Sequence, residues 1–276
     1  MEQVKKWLHS LFQIIQVPEM KILPGHIAFF LVLSIIPIIT LIGFIASFFS
    51  ISIESLIQVA TNIVPEEIMD LLMPFVTGKG MDMNIGLFMV IGFVLASNGP
   101  HAIIVACDTL YDEKDKNYLH TRVKAFVLTI LLMLLFFFCL VVLAFGNSIL
   151  NMILQMDFLS HIHTQLYWAF LFIKYPFAFI LIYWIIKMLY TMAPSKKIPS
   201  KSVTKGALFT TIMWLIVTSI FSFYISHFGS YDLFYGGLSS IIVMMIWVYI
   251  LSYVLVIGIA INRNNYHQLE DTSTNN

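Results

Sequence analysis

The hydrophobic residues of this chain are gathered into about six blocks, and the connections between them alternate between Lys/Arg-rich and nearly Lys/Arg-free. Crossing about 30 Å of hydrocarbon takes about twenty residues at a helical rise of about 1.5 Å. The blocks near 26–49, 86–107, 124–150, 166–190, 203–226 and 234–261 meet that length. In hydrocarbon each backbone N–H and C=O has to find its partner inside the protein, so the blocks are expected to be helices. The implied fold class is all-α, a polytopic bundle of about six transmembrane helices with short interfacial helices beside it. Composition excludes the soluble alternative. Of the 276 residues, 59% are hydrophobic and 11% charged, against about 25% charged in ordinary soluble domains, and mean hydropathy is +0.89.

Thirteen of the fifteen Lys and Arg residues fall on one side of this map. Lys5, Lys6 and Lys21 precede the first span. Lys114, Lys116, Arg122 and Lys124 surround the second connection, Lys187, Lys196, Lys197, Lys201 and Lys205 the fourth, and Arg263 follows the sixth span. Lys79 alone lies in an opposite loop, and Lys174 lies inside a span. Basic loops are retained in the cytoplasm, so both termini are expected there. The zero net charge hides this separation, because Glu54, Glu66, Glu67, Asp70, Asp82, Asp157 and Asp232 fall in the outer loops.

Three segments flank or interrupt the six-helix domain, which is placed at 26–262. Residues 1–25 form a cytoplasmic segment in which Val4, Trp7, Leu8, Leu11, Phe12 and Ile15 recur at helical spacing opposite Lys5, Lys6, His9 and Gln13. That pattern fits either a helix lying in the membrane interface or a solvated cap. The first outer loop, 51–84, is too long for an idle connector. Pro65 with Glu66 and Glu67 starts a helix well, and Ile68, Leu71, Leu72 and Phe75 give it one apolar face, as packing or as a lid. Residues 263–276 are a polar cytoplasmic tail.

Inside the spans, Pro37, Pro100 and Pro176 predict kinked helices, since proline frees carbonyls that neighbours must satisfy. Two sets of three spans permit an inverted repeat, with Pro37 and Pro176 at matching depths. Polar residues in the spans are where function is sought. Asn98, His101 and Asp108 share one face of the second span, directed into the bundle. His101 fits a proton relay or a substrate contact, but a neutral ring bonded to a freed carbonyl near Pro100 is the favoured reading. Asp108 is expected at the cytoplasmic interface with no special role. Lys174 either faces the bundle interior or snorkels outward along its stem. Asn98, His101 and Lys174 are thus the candidate polar path. Thr211, Thr218 and Ser222 form a hydroxyl stripe suited to gluing helices. Cys107 and Cys139 sit in apolar spans and read as packing residues, and no metal spacing is present.

The last third carries a recognisable order: Lys205-Gly206-Ala207-Leu208-Phe209, Trp214, Phe221-Ser222-Phe223-Tyr224, Tyr235-Gly236-Gly237-Leu238, Trp247-Val248-Tyr249 and Gly258-Ile259-Ala260-Ile261-Asn262. With Ala28-Phe29-Phe30 and Leu33-Ser34-Ile35-Ile36-Pro37 in the first span, and Ala96-Ser97-Asn98-Gly99 in the second, it resembles the YihY/virulence factor BrkB family. The resemblance implies a six-helix inner-membrane protein of bacteria. It does not supply an activity, since such proteins have carried names from ribonuclease to serum-resistance factor and transporter. The matched residues Ser34, Pro37, Gly206, Trp214, Tyr224, Tyr235, Gly236, Trp247, Gly258 and Asn262 read as structural, because they include no nucleophile, base or metal set.

RNA cleavage needs an acid and base or a metal cluster, together with a basic track. The only close histidine pair, His161 and His163, falls in an outer loop. The expectation is therefore a non-enzyme with no cofactor, no metal and no nucleic-acid partner. Its partners are membrane lipids and, for a transporter, a lipid or small envelope-related solute. A membrane scaffold for envelope proteins is the alternative reading, and a ribonuclease a distant third.

Overall fold

The computed structural model describes residues 16, 18–48, 85–113, 117–154, 163–228 and 239–274, and the side chains of most of them. Every regular element among these is a helix: α1 Glu19–Phe48, α2 Ile85–Ala96, α3 Asn98–Leu110, α4 Tyr118–Leu154, α5 His163–Met192, α6 Thr204–Phe228 and α7 Ser239–Thr274. The stretches Val90–Leu110, Tyr118–Phe138, Thr204–Ile225 and Ser239–Tyr266 are each long and apolar enough to cross a membrane, and Pro176–Met192 is a shorter apolar helix.

Side-chain exposure shows why these helices need an apolar solvent. On α4, Ala125, Leu128 and Met133 are buried while Leu119, Val123, Val127, Ile130 and Leu134 are exposed on the other side. In water such a helix would carry charge on its outer face. On α6, Leu208, Ile212, Leu215, Ile216 and Ile220 repeat the pattern. The chain is a multi-pass membrane protein.

Each span packs on its neighbours in sequence, and α7 closes back on α1, so the spans form a ring. The second half of the second span, α3, also touches α7 across the ring. Its buried face, with Ala102, Ile104, Ala106 and Cys107, fills the larger core together with Ile27, Leu128, Ile186, Tyr190 and Leu255. A smaller cluster joins α1 to α6 and α7 through Ala28, Phe221, Met244 and Trp247. Cys107 is a free, buried thiol.

Three boundaries differ from the hydropathy blocks. The first helix starts at Glu19, with Pro24 inside it, and the last continues past Ile261 to Thr274. The second span divides at Ser97 into α2 and α3, yet the backbone stays helical there, with Ser97 N–H bonded to Phe93 O and His101 N–H to Ser97 O, so the division is a kink. Residues 1–15 and 51–84, Tyr235, Gly236 and His161 lie outside the described residues, as do the side chains of Lys174, Cys139 and His163.

Candidate functional site

The kink at Ser97 follows from Pro100. An uninterrupted helix would send the residue-100 N–H to Ala96, but proline has none and its ring crowds that carbonyl. With α3 starting at Asn98, Pro100 falls in a first turn, where helix N–H groups have no intrahelical partner anyway. The loose backbone groups are then answered from side chains. Ser97 Oγ donates to Val94 O at 2.7 Å. Ser34 of α1 reaches into the gap, where its Oγ accepts the Gly99 N–H at 2.9 Å. Its one proton is shared between Leu95 O at 3.1 Å and Phe30 O at 2.7 Å. One hydroxyl thus bridges Gly99 N–H and Leu95 C=O, the pair that a continuous helix would have bonded directly. Gly99 is needed for this approach, because a β-carbon there would lie 2.9 Å from Leu31 Cδ2 and 3.2 Å from Ser34 Oγ. Pro37, also buried, faces Gly92 one turn further along the same seam.

An arginine sits beside the kink. Arg122 of α4 donates through Nη1 to Asn98 Oδ1 at 2.9 Å and through Nη2 to Val94 O at 3.2 Å. Its guanidinium lies over the Phe126 ring, 5.1 Å from the centroid. The half-buried His101 ring meets Tyr118 edge-on at 6.2 Å. Asn98 and His101 do share a neighbourhood, then, but it is the junction with α4, and neither is fully buried. Lys174 lies in α5 and its side chain is outside the described residues, so the third member of the expected path is not placed.

Asp108 corrects the expectation made for it. It is completely buried, and its carboxylate accepts the Ser195 N–H and the Ser195 O–H, each at 2.7 Å. Lys124 Nζ donates to the neighbouring Pro194 O. Nearby, Arg263 pairs with Asp112 at 2.7 Å, and Lys196 lies over the Tyr266 ring. The second and fourth connections and the C-terminal part of α7 therefore meet at one end of the ring. That end carries the Lys/Arg-rich loops.

The antiparallel pair α6 and α7 is joined by polar contacts repeating about once per turn. Asn265 Nδ2 donates to Ser202 O at 2.9 Å. Asn262 Oδ1 accepts the Gly206 N–H at 2.8 Å, capping α6 from another helix. Tyr190 OH of α5 sits between Thr210 Oγ1 at 2.7 Å and Leu255 O at 2.8 Å. Trp214 Nε1 donates to Leu251 O at 2.9 Å, and Trp247 Nε1 approaches Thr218 Oγ1 at 3.4 Å. Gly206 and Gly258 make the crossing possible. A β-carbon on either would fall inside 3.0 Å of its neighbours, meeting Gly258 O and Asn262 from the first and Thr210 and Tyr190 from the second. Of the hydroxyl stripe read in the sequence, Thr218 reaches across the seam to Trp247, and Thr210, one residue from the stripe, bridges to Tyr190. Thr211 bonds Ala207 O within its own helix, and Ser222 is exposed. Tyr224 is exposed as well.

The profile of the family described as Virulence factor BrkB matches residues 16–276. The chain belongs to that family. Among BrkB relatives, a ribonuclease-like protein of Bacillus subtilis, YfkH, is 27% identical over 261 residues, covering 93% of this chain and 94% of its own. A UPF0761 membrane protein of Vibrio vulnificus is 26% identical over 270 residues, 90% of this chain and 80% of its own. No solved structure matches. Several of the residues that carry the resemblance have concrete tasks. Ser34 bridges the kinked span, while Gly206, Trp214, Trp247, Gly258 and Asn262 form the α6–α7 seam. Arg122 was missed in the sequence because it lies beside a basic loop that accounts for its charge, and Ser195 because its partner Asp108 is 87 positions away.

Proposed function

We propose that this BrkB-family protein works in the bacterial cytoplasmic membrane, with both termini in the cytoplasm, and moves a lipid or a small envelope-related solute. The observation that carries the reading is the second span, kinked within its membrane-crossing length where Gly99 N–H and Pro100 leave the helical ladder, with Asn98, His101 and Arg122 gathered beside the kink. Interrupted helices with polar side chains are tolerated in membranes where they are buried or line a path, and many secondary transporters place their sites there. The asymmetric distribution of Lys and Arg supports the orientation. A non-catalytic role is supported by the absence from the sequence of an acid–base set joined to a basic RNA track; the ribonuclease-like name is that of the B. subtilis relative.

A scaffold for envelope proteins is favoured by a different observation, that Ser34, Gly206, Trp214, Gly258 and Asn262 are engaged in helix seams. Purified protein in liposomes, assayed for scrambling of fluorescent phospholipids and for uptake of small anionic solutes, separates the two. The transport reading expects flux above protein-free liposomes that falls with His101→Leu while the amount of folded protein is unchanged. Flux equal to empty liposomes for every lipid and solute tried would refute it in favour of the scaffold.

A further inference from the structure

We propose that the groove between the kinked second span and α4 binds the phosphate of an anionic phospholipid, with Arg122 as the anchoring residue. The inference holds for a transporter and for a scaffold alike. A guanidinium in a membrane-spanning helix is costly, and it is normally paired or turned out to the interface. Helical side chains ordinarily lean toward the N-terminus of their helix, which for Arg122 is the polar end at Asn117. Arg122 does the reverse. It bends over Phe126, one turn further into α4, and ends on Val94 O of α2. Arginine has five N–H donors, of which Asn98 Oδ1 and Val94 O take two. Among the described residues no carboxylate pairs with it.

The surroundings say which anion fits. The groove lies on the outer surface of the ring, where Val90 and Val94 of α2 and Leu119 and Val123 of α4 are exposed. In a bilayer that surface faces acyl chains. Tyr118 at the start of α4 is 68% exposed, at the level where headgroups begin. An anion reaching Arg122 from this side must itself carry apolar chains, and a phospholipid phosphate matches the planar donor fork of arginine. Beside Arg122 the Phe93 and Phe126 rings stack, 5.6 Å between centroids.

The test uses full-length protein in mild detergent, titrated with phosphatidylglycerol or phosphatidylcholine of the same acyl chains and read by native mass spectrometry. The expected result is phosphatidylglycerol held about tenfold more tightly, the effect of one charge-assisted contact. Arg122→Gln removes the preference, Arg122→Lys keeps part of it, and Lys205→Gln, at an exposed cation elsewhere on the basic end, leaves it intact. The unsubstituted protein is also followed by hydrogen exchange in nanodiscs, where phosphatidylglycerol should slow exchange at 94–101 and 118–126 relative to phosphatidylcholine. Equal affinity for the two lipids, unchanged preference in Arg122→Gln, or identical exchange in both discs would each overturn the assignment. Displacement of the lipid by millimolar inorganic phosphate would also overturn it, marking a site for soluble anions.

Discussion

Replacing Gly206 with alanine adds one carbon atom at one of the two tightest glycine contacts of the α6–α7 crossing. The new β-carbon would overlap Gly258 O, which is backbone and cannot rotate away, and the buried Asn262 side chain. Three costs follow. Overpacking a close contact costs about 2 kcal/mol. Moving α6 away breaks the Gly206 N–H to Asn262 Oδ1 bond, and losing a helix cap costs about 1 kcal/mol. Asn262 Oδ1, fully buried, is then left without its donor, for about another 1–2 kcal/mol. Against these stands the alanine-over-glycine helix preference of about 1 kcal/mol, leaving a net loss of about 3–4 kcal/mol. With about 2–4 °C per kcal/mol for a chain of this size, the thermal midpoint should fall by about 10 °C. The assay is fluorescence-detected size exclusion after graded heating in mild detergent. Gly25 supplies an internal control of opposite sign, because a β-carbon there meets only Tyr249 Cε2 at 4.0 Å. Gly25→Ala should be neutral or stabilising by about 1 kcal/mol. Equal midpoints for the parent and Gly206→Ala, or equal losses in both variants, would refute the close-approach argument.

Other perturbations probe the remaining contacts. Ser34→Ala leaves the Gly99 N–H and Leu95 C=O facing each other without the bridging hydroxyl, and should lower stability by about 2 kcal/mol in the same heating assay; an unchanged midpoint would mean the gap closes by itself. Asp108→Asn keeps the shape but removes the charge that strengthens both Ser195 bonds, so trypsin should cut at Lys196 or Lys197 faster than in the parent, and an unaltered cleavage rate would count against the tie. For topology, single cysteines at Asp70 and Asp157 in a Cys-free protein should react with an impermeant thiol reagent in intact cells, whereas cysteines at Asn117 and Ser200 should not. Labelling of the second pair from outside would invert the orientation. Lys174→Met should abolish flux without reducing folded protein under the transport reading, and an active, well-expressed variant would remove Lys174 from the path.

The amino-acid sequence by itself determined the class of fold and the clustering of charge. Both depend on local quantities, the length of apolar runs and the count of Lys and Arg per connection, which need no knowledge of neighbours. It also marked Gly206, Gly258 and Asn262, through their order along the chain, and Pro100 as a disruptor. Tertiary structure alone decided what these residues meet. Gly206 and Asn262 are 56 positions apart, and Asp108 finds Ser195 across 87, so no window of local periodicity contains both partners. The role of Asp108 was hidden for that reason: a carboxylate at the end of an apolar run calls for no partner until the connection between α5 and α6 folds over it. The Ser34 bridge was hidden in the same way. Proline announces that carbonyls will be freed, but which helix supplies the hydroxyl is set by packing order around the ring. Arg122 shows the limit most clearly, because a basic residue beside a basic loop is explained by topology until packing brings Asn98 and Val94 against it.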